Sequence, residues 1–290
     1  MRRLIAMMLL VAAVPPAWAQ GTAPVETITS QAERARDDSM ARSVVQSLLA
    51  QSQSMENQYA RWKAPVCPHV YGFTPVAAYV IERRIKDIAE EVGAPVDRTD
   101  PCVPNIGIIV SADPQKSFDS LAARAPWLVI SSTRRTKVEY PVETWYASML
   151  RDYNGKLNFD QSWEDAGLDG PPMVPAQLSR LSTGQTAEMG AATVLVDANA
   201  VTGMSLGTLA DYIALQTLAQ SQVNGRCQEV PSIANLMLKN CDPADHTDSL
   251  SDIDIALLTG LYAAPESPEL LQRQRIIGAM KRSLEEQRAR

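Results

Sequence analysis

Hydrophobic positions change period several times along the chain, and each change marks an element. Residues 30–61 hold no Gly or Pro, and Val44, Leu48, Met55, Tyr59 and, just past the end, Trp62 recur at helical spacing and predict one long amphipathic helix. Its apolar stripe is thin and broken at Ser52, without sustained heptads, so the helix is expected to lie against its own domain. Two prolines and a glycine in 65–74 mark an irregular approach to the main domain. Val76 to Val92 returns to the helical period and stops at Gly93. Asn105 to Ser111 is a short, almost wholly apolar run, the pattern of a buried strand. Asp113-Pro114 then opens a helix to about Arg124, with Pro in its first turn.

From Lys137 to Ala147 the period becomes two. Val138, Tyr140 and Val142 share one face and Lys137, Glu139 and Glu143 the other. Pro141 has no N–H for a ladder, so this run is expected to be an antiparallel edge strand. The Gly-, Pro-, Asp- and Ser-rich stretch 152–186 reads as a long loop, and Thr193 to Asp197 as a second buried strand. The remainder reads as helix over 206–221, 232–239, 252–263 and 268–288. The fold class expected is α+β, a small mixed sheet packed by several helices.

The first nineteen residues change the picture of where this domain works. Arg2 and Arg3 precede an apolar run, Leu4 to Val14, and Ala17-Trp18-Ala19 places small residues where a signal peptidase reads, so a cut is expected before Gln20. A membrane anchor fails on length, because Pro15-Pro16 interrupts a run far short of the ~20 residues a spanning helix needs. No cysteine follows the run to carry a lipid. The organisation expected is a signal peptide over 1–19, a polar leader and helix over 20–60, an α+β domain over 61–265 and a charged C-terminal helix over 266–290. Without Arg2 and Arg3 the chain carries 25 basic and 33 acidic residues, which gives no support for nucleic-acid binding. Four cysteines in an exported chain allow three disulfide pairings. Cys67–Cys102 with Cys227–Cys241 is favoured because it joins neighbouring segments without crossing. Spacing for a structural zinc site is absent.

Candidate chemistry is sparse. Gly203-Met204-Ser205-Leu206-Gly207 matches the G-x-S-x-G nucleophile elbow, between a predicted strand and a predicted helix. Against a hydrolase, five residues separate Asp197 from Gly203, and the sole downstream histidine, His246, lies in an Asp-rich loop. The simpler reading is a helix cap at Ser205 or Thr208, with Asp211 completing a Thr-x-x-Asp box. His69 and His246 form no i, i+4 pair and are read as loop residues rather than metal ligands. Asp160, Glu164, Asp165 and Asp169 surround Trp163, a glycosidase-like pairing of acids that an exposed loop gives no raised pKa. Asp242, Asp245, Asp248, Asp252 and Asp254 miss the EF-hand spacing, and Ser251-Asp252-Ile253-Asp254 reads as a helix start. Arg134, Arg135 and Lys137 form a small basic patch of the kind a solvated turn carries. No phosphate loop or dinucleotide fingerprint is present, and no cofactor is expected.

The order helix 76–92, strand 105–110, helix 115–124, edge strand 137–146, strand 193–197, helix 206–221 resembles zincin-type peptidase domains. There the last helix carries H-E-x-x-H and the edge strand lines the substrate cleft. In this chain that helix reads Leu209-Ala210-Asp211-Tyr212-Ile213-Ala214-Leu215. The resemblance puts Ala210 and Ala214 at the two histidines, Asp211 at the glutamate and Gln220 at a third ligand, which implies a metal-less pseudoenzyme. Arg61-Trp62-Lys63-Ala64-Pro65-Val66-Cys67-Pro68, the Leu209–Leu215 run and Leu257-Leu258-Thr259-Gly260-Leu261-Tyr262 resemble a family of exported bacterial proteins over roughly 60–265. That resemblance implies no activity.

The reading expected is therefore a periplasmic or secreted, non-catalytic protein that binds an extended polypeptide at the 137–146 strand. Two rivals are a serine hydrolase using Ser205 with His246, and an envelope assembly protein acting through the 30–61 helix.

Overall fold

The computed structural model describes residues 25–50, 58–99, 101–129, 137–152, 157–159, 185–221, 226–265 and 269–289. The chain divides into two units, Met1–Arg36 and Asp37–Arg290. In the first, the described residues are the start of helix α1 (Val25–Leu48). Everything below concerns the second.

Among the described residues, six strands form one mostly parallel sheet in the order β2-β3-β6-β4-β5, with β1 also on β6. They are β1 (Arg61–Trp62), β2 (Pro68–Tyr71), β3 (Ile106–Ser111), β4 (Val142–Asp152), β5 (Leu157–Phe159) and β6 (Gln185–Asp197). The long central β6 pairs in parallel with β1 at Glu188 and Met189 and with β3 from Ala192 to Asp197. Its other side pairs antiparallel with β4 along the whole length of β4, through a bulge at Ala147/Ser148. β2 lies parallel to β3, and β5 antiparallel to residues 149–151 of β4. The turn after β2 needs Gly72, at φ 92°, where a Cβ would sit 2.2 Å from the Val110 carbonyl oxygen.

Alternation in β3 and β6 divides their side chains between two cores. Ile106, Ile108, Val194 and Val196 join a large core with helices α2 (Pro75–Glu91), α4 (Leu206–Leu218), α5 (Asp252–Ala263) and α6 (Glu269–Arg288). Ile109 and Leu195 face the opposite side, where Phe118 of helix α3 (Pro114–Arg124) stacks on Trp145 with ring centroids 5.3 Å apart. Gly260 lets α5 and α6 touch, because a Cβ there would meet the Ile276 carbonyl oxygen at 2.8 Å.

α4 is apolar nearly all round, and every residue from Leu209 to Leu218 is buried. Its last carbonyls have no partner within the helix, and burial removes water as the substitute. Three aromatic side chains supply donors instead. Tyr146 Oη donates to the Gln216 carbonyl at 2.7 Å, Trp62 Nε1 to that of Thr217 at 2.7 Å and Tyr262 Oη to that of Leu218 at 2.6 Å. Burial raises the Tyr146 phenol to about 12, so it stays a donor. Arg61 closes α5 likewise, with Nη1 donating to the carbonyls of Leu261 at 2.9 Å and of Ala264. Residues distant in sequence, Arg61, Trp62, Tyr146 and Tyr262, thus serve the buried ends of two helices.

Both favoured disulfides form, Cys67–Cys102 with Cα atoms 6.1 Å apart and Cys227–Cys241 with Cα atoms 5.3 Å apart. The first ties β2 to the approach of β3. Among the described residues no helix is long and apolar enough to cross a membrane.

Several expectations are corrected. The helix expected over 30–61 gives way to α1, which begins at Val25, inside the expected leader, and ends at Leu48. Val44 and Leu48 are buried as the pattern requires, but Tyr59 and Trp62 are buried from extended chain, and Met55 lies outside the described residues. The strand expected from Lys137 begins only at Val142. Ahead of it, the N–H of Val138 goes to Gln115 Oε1 at 2.9 Å, and those of Glu139 and Tyr140 go to Glu143 Oε2 at 3.1 Å each. Nor does the strand stop at Ala147: it runs on to Asp152, where the loop over 152–186 was expected, and β5 and the first half of β6 also fall in that range. The helix expected over 232–239 is a single tight turn, Ile233–Asn235. α4 stops at Leu218, short of Ser221, because Ser221 bridges to Leu49. The signal segment 1–19 lies outside the described residues.

Candidate functional site

β3 and β6 are neighbours and parallel, so both end on the same side of the sheet, at Ser111 and Asp197. The chain leaving β3 turns into α3 on one face, and the chain leaving β6 reaches α4 on the other. Strand exits diverging in this way open a crevice at the carboxyl ends of a parallel sheet, the usual place for a ligand in such architectures. Here the crevice is a cleft of about 700 Å³. The start of α3 (Asp113, Pro114, Gln115) forms one wall, residues 138–141 the second, and Met237, Leu238 and Lys239 the third, with Asp197 among the lining.

Side chains already engaged within the chain hold these walls. Asn199 Nδ2 donates to the Ala112 carbonyl at 3.0 Å and pins the two strand exits together. Asp113 caps α3, accepting from the Lys116 N–H at 3.1 Å. Asp197 Oδ1 accepts from the Asn199 N–H at 2.9 Å and fixes the turn after β6. The Asp197 N–H donates to the Pro141 carbonyl at 2.8 Å. The carbonyls of Val138 and Glu139, by contrast, accept no hydrogen bond among the described residues.

The residues singled out from the sequence fall elsewhere. Ser205 is the N-cap of α4, accepting from the Thr208 N–H at 3.0 Å, with the two hydroxyls 2.8 Å apart. His246 forms a backbone bridge with Ser232. Asp211 completes no box with Thr208; its buried carboxylate accepts from Arg84 Nε at 2.6 Å, Arg84 Nη2 at 3.0 Å and the Leu250 N–H at 3.0 Å. The partner carboxylate pushes the Arg84 guanidinium further up. Ala210 and Ala214 are fully buried, and Gln220 lies beyond the end of α4, its side chain accepting from Ser148 Oγ at 3.4 Å. His69 sits on β2 rather than in a loop, with Nδ1 3.2 Å from Glu82 Oε1. Asp254 forms a capping box with Ser251 at the start of α5, and Asp252 stands in the first turn. Asp160, Trp163, Glu164, Asp165, Asp169, Arg134 and Arg135 lie outside the described residues. Among the described residues, no group of three or more His, Cys, Asp or Glu is placed to hold a metal ion.

Ser205→Ala is expected to lower unfolding stability by roughly 0.5–2 kcal/mol, whereas Ser205→Asp stays near wild type because Asp also caps and suits the helix dipole. Urea unfolding of the two variants decides it. Equal losses in both would mean that the cap contributes nothing.

Sequence reasoning placed Asp113, Glu139, Tyr140 and Pro141 in elements without bringing them to one site, and it missed Met237, Leu238 and Asp197 as lining. The available signal was the pair of apolar runs ending in Ser111 and Asp197: parallel strands side by side open a crevice where they end. Comparisons with protein-family models, with curated proteins and with solved structures find no match.

Proposed function

We propose that the chain is an exported, non-catalytic binding protein that takes an extended polypeptide into the cleft at the ends of β3 and β6. One observation carries this reading. The N–H groups of Val138, Glu139 and Tyr140 are taken by Gln115 and Glu143, whereas the Val138 and Glu139 carbonyls accept no hydrogen bond among the described residues, so an extended ligand can donate its own N–H groups to them. Contact is one-sided, unlike the reciprocal ladder of true strand addition. Tyr140, Pro141, Met237 and Leu238 supply apolar surface beside those carbonyls.

Two disulfides support a periplasmic or secreted location, since such bonds persist in oxidising compartments. The metal-less, zincin-like scaffold belongs to the same proposal. What supports it is an antiparallel strand beside β6 with α4 following β6. The burial of Ala210 and Ala214 moves the binding surface away from the place where such a domain holds its metal.

The test is fluorescence anisotropy with a labelled, uncharged twelve-residue peptide of Val, Thr and Ser. Wild type is expected to bind it, and Leu238→Arg, which fills the cleft, to weaken binding at least tenfold. A wild type that leaves the peptide free would overturn the reading. So would labelling by a fluorophosphonate probe that disappears in Ser205→Ala, which would establish a serine hydrolase.

A further inference from the structure

We infer that the Cys227–Cys241 disulfide is a reducible latch on one wall of the cleft. Closed, it holds Met237, Leu238 and Lys239 in place; opened by a dithiol, it releases them while the rest of the fold stays. The consequence for binding rests on the polypeptide reading of the cleft. At the near end of this wall Asn235 is fully buried. Its Nδ2 donates to the carbonyls of Gln228 at 3.1 Å and Asp245 at 2.9 Å, and its Oδ1 accepts from the Gln228 N–H at 2.7 Å. Backbone hydrogen bonds then follow the chain only as far as Leu238, whose N–H donates to the Asn235 carbonyl at 3.0 Å. Lys239, Asn240 and Cys241 make none among the described residues. Leu236 and Met237 are only partly buried against the core. The far end of the wall is tied by the disulfide, which joins Cys241 to the neighbour of the anchored Gln228. Beyond Cys241 the chain is pinned without it. The Ser232 N–H donates to the Asp245 carbonyl at 3.1 Å, and the Asp254 carboxylate holds Ser232 and Ile233. Opening the bond therefore frees the wall and leaves the Ile233–Asn235 turn, α4 and α5 where they are.

Access and leaving group make this the disulfide that a dithiol opens first. Exchange begins when a thiolate attacks one sulfur and the other leaves as a thiolate. Cys227 and Cys241 are both half-buried and keep contact with solvent. Cys67 is 2 % exposed, which blocks attack on its sulfur. Attack on Cys102 would expel a Cys67 thiolate into a buried place, where a thiolate is disfavoured. Lys86 Nζ lies 3.4 Å from Cys102 Sγ and would favour a thiolate there, but Cys102 leaves only when Cys67 is attacked. The Cys227–Cys241 separation is also the shorter, 14 residues against 35, and a shorter closed loop stabilises less. Opening consumes one dithiol. Its first thiolate forms a mixed disulfide and its second displaces the remaining cysteine. The reductant becomes a disulfide, and Cys227 and Cys241 take up two electrons and two protons as thiols.

Alkylation and amide hydrogen exchange of the full chain under rising dithiothreitol, a small dithiol, test this. Cys227 and Cys241 are expected to become alkylatable while Cys67 and Cys102 stay linked. Exchange in 236–241 is then expected to rise by about tenfold or more, with β3, β6 and α4 unchanged. Binding of the uncharged twelve-residue peptide, followed by anisotropy, is expected to weaken by about tenfold or more as the wall loses its fixed shape, and reoxidation to restore it. The double variant Cys227→Ser, Cys241→Ser is expected to show the loose wall and the weak binding without reductant, with an unchanged circular dichroism spectrum.

Exchange in 236–241 that stays slow after the bond opens would overturn the latch. So would opening of Cys67–Cys102 first, or exchange that rises throughout β3, β6 and α4 when only Cys227–Cys241 is open, which would make that bond a staple of the whole fold. A wall that loosens while peptide affinity is unchanged would overturn its control of the cleft. An oxidised wild type that leaves the peptide free removes the polypeptide reading alone, because exchange at the wall still decides the latch.

Discussion

Trp62→Ala is expected to remove more than about 4 kcal/mol of stability, enough to unfold a large share of molecules at growth temperature if the whole fold is worth ~5–15 kcal/mol. Two losses combine. The indole is 1 % exposed and fills the core between β6 and α4, and truncating a buried Trp to Ala costs about 3–5 kcal/mol. The Thr217 carbonyl at the end of α4 also loses its donor and cannot reach water, which adds about 1–3 kcal/mol. Trp62→Phe separates the two terms. It keeps most of the apolar volume while deleting the N–H, so its cost is expected near the second figure alone. Chemical denaturation of both variants, followed by circular dichroism, measures the pair. A Trp62→Phe protein as stable as wild type would show that the capping bond carries no weight.

Asp254→Ala is the second large effect, about 3–5 kcal/mol, the cost of leaving at least two backbone donors without an acceptor at roughly 1–3 kcal/mol each. The carboxylate is fully buried and accepts from Ser232 Oγ at 2.6 Å and from the N–H groups of Ile233 and Ser251 at 3.0 Å each. It therefore holds the start of α5 and the Ile233–Asn235 turn together, and its removal orphans two buried N–H groups at once. Burial pushes the Asp254 carboxyl up, and the hydrogen bonds from Ser232, Ile233 and Ser251 only partly oppose that. The folded form thus holds the proton more tightly than the unfolded chain. Its stabilising contribution is complete below the ordinary carboxyl value of 3.8 and declines as pH rises through the raised value. Asp37 and Asp38 act in the opposite sense. Hydrogen bonds from Arg288 to Asp37, and from Arg42 and Lys281 to Asp38, lower these carboxyls, so their contribution is present above 3.8 and lost as pH falls. Asp254→Asn cannot ionise. Urea midpoints taken from pH 3 to pH 8 are expected to fall less with rising pH in this variant than in wild type. Parallel profiles for the two proteins would contradict the assignment.

Local chemistry made much of this fold legible from residues alone. α2, α3 and α5 follow from an apolar stripe plus a cap within a few residues, Thr74-Pro75, Asp113-Pro114 and Ser251–Asp254, because each signal is complete within one or two turns. β3 follows from an uninterrupted apolar run, and the disulfides follow from chain order in a four-cysteine protein. The capping role read for Ser205 is likewise a matter of adjacent residues. What stayed hidden depends on partners distant in sequence. β1 is two residues long and is a strand only because Glu188 and Met189 lie beside it. The first half of β6 has no apolar run and is held by β4. Residues 137–141 alternate like a strand, yet Gln115 and Glu143 take their N–H groups, and which acceptor wins is decided by what the fold brings near. The cleft follows the same rule. Asp113, Glu139, Asp197 and Leu238 are ordinary where they stand in the chain, and they become one surface only because parallel pairing of β3 with β6 ends both strands at one place. Sequence by itself determined the elements whose energetics close within a turn or a short run, whereas register, strand order and the site needed hydrogen bonds and burial supplied from elsewhere in the chain.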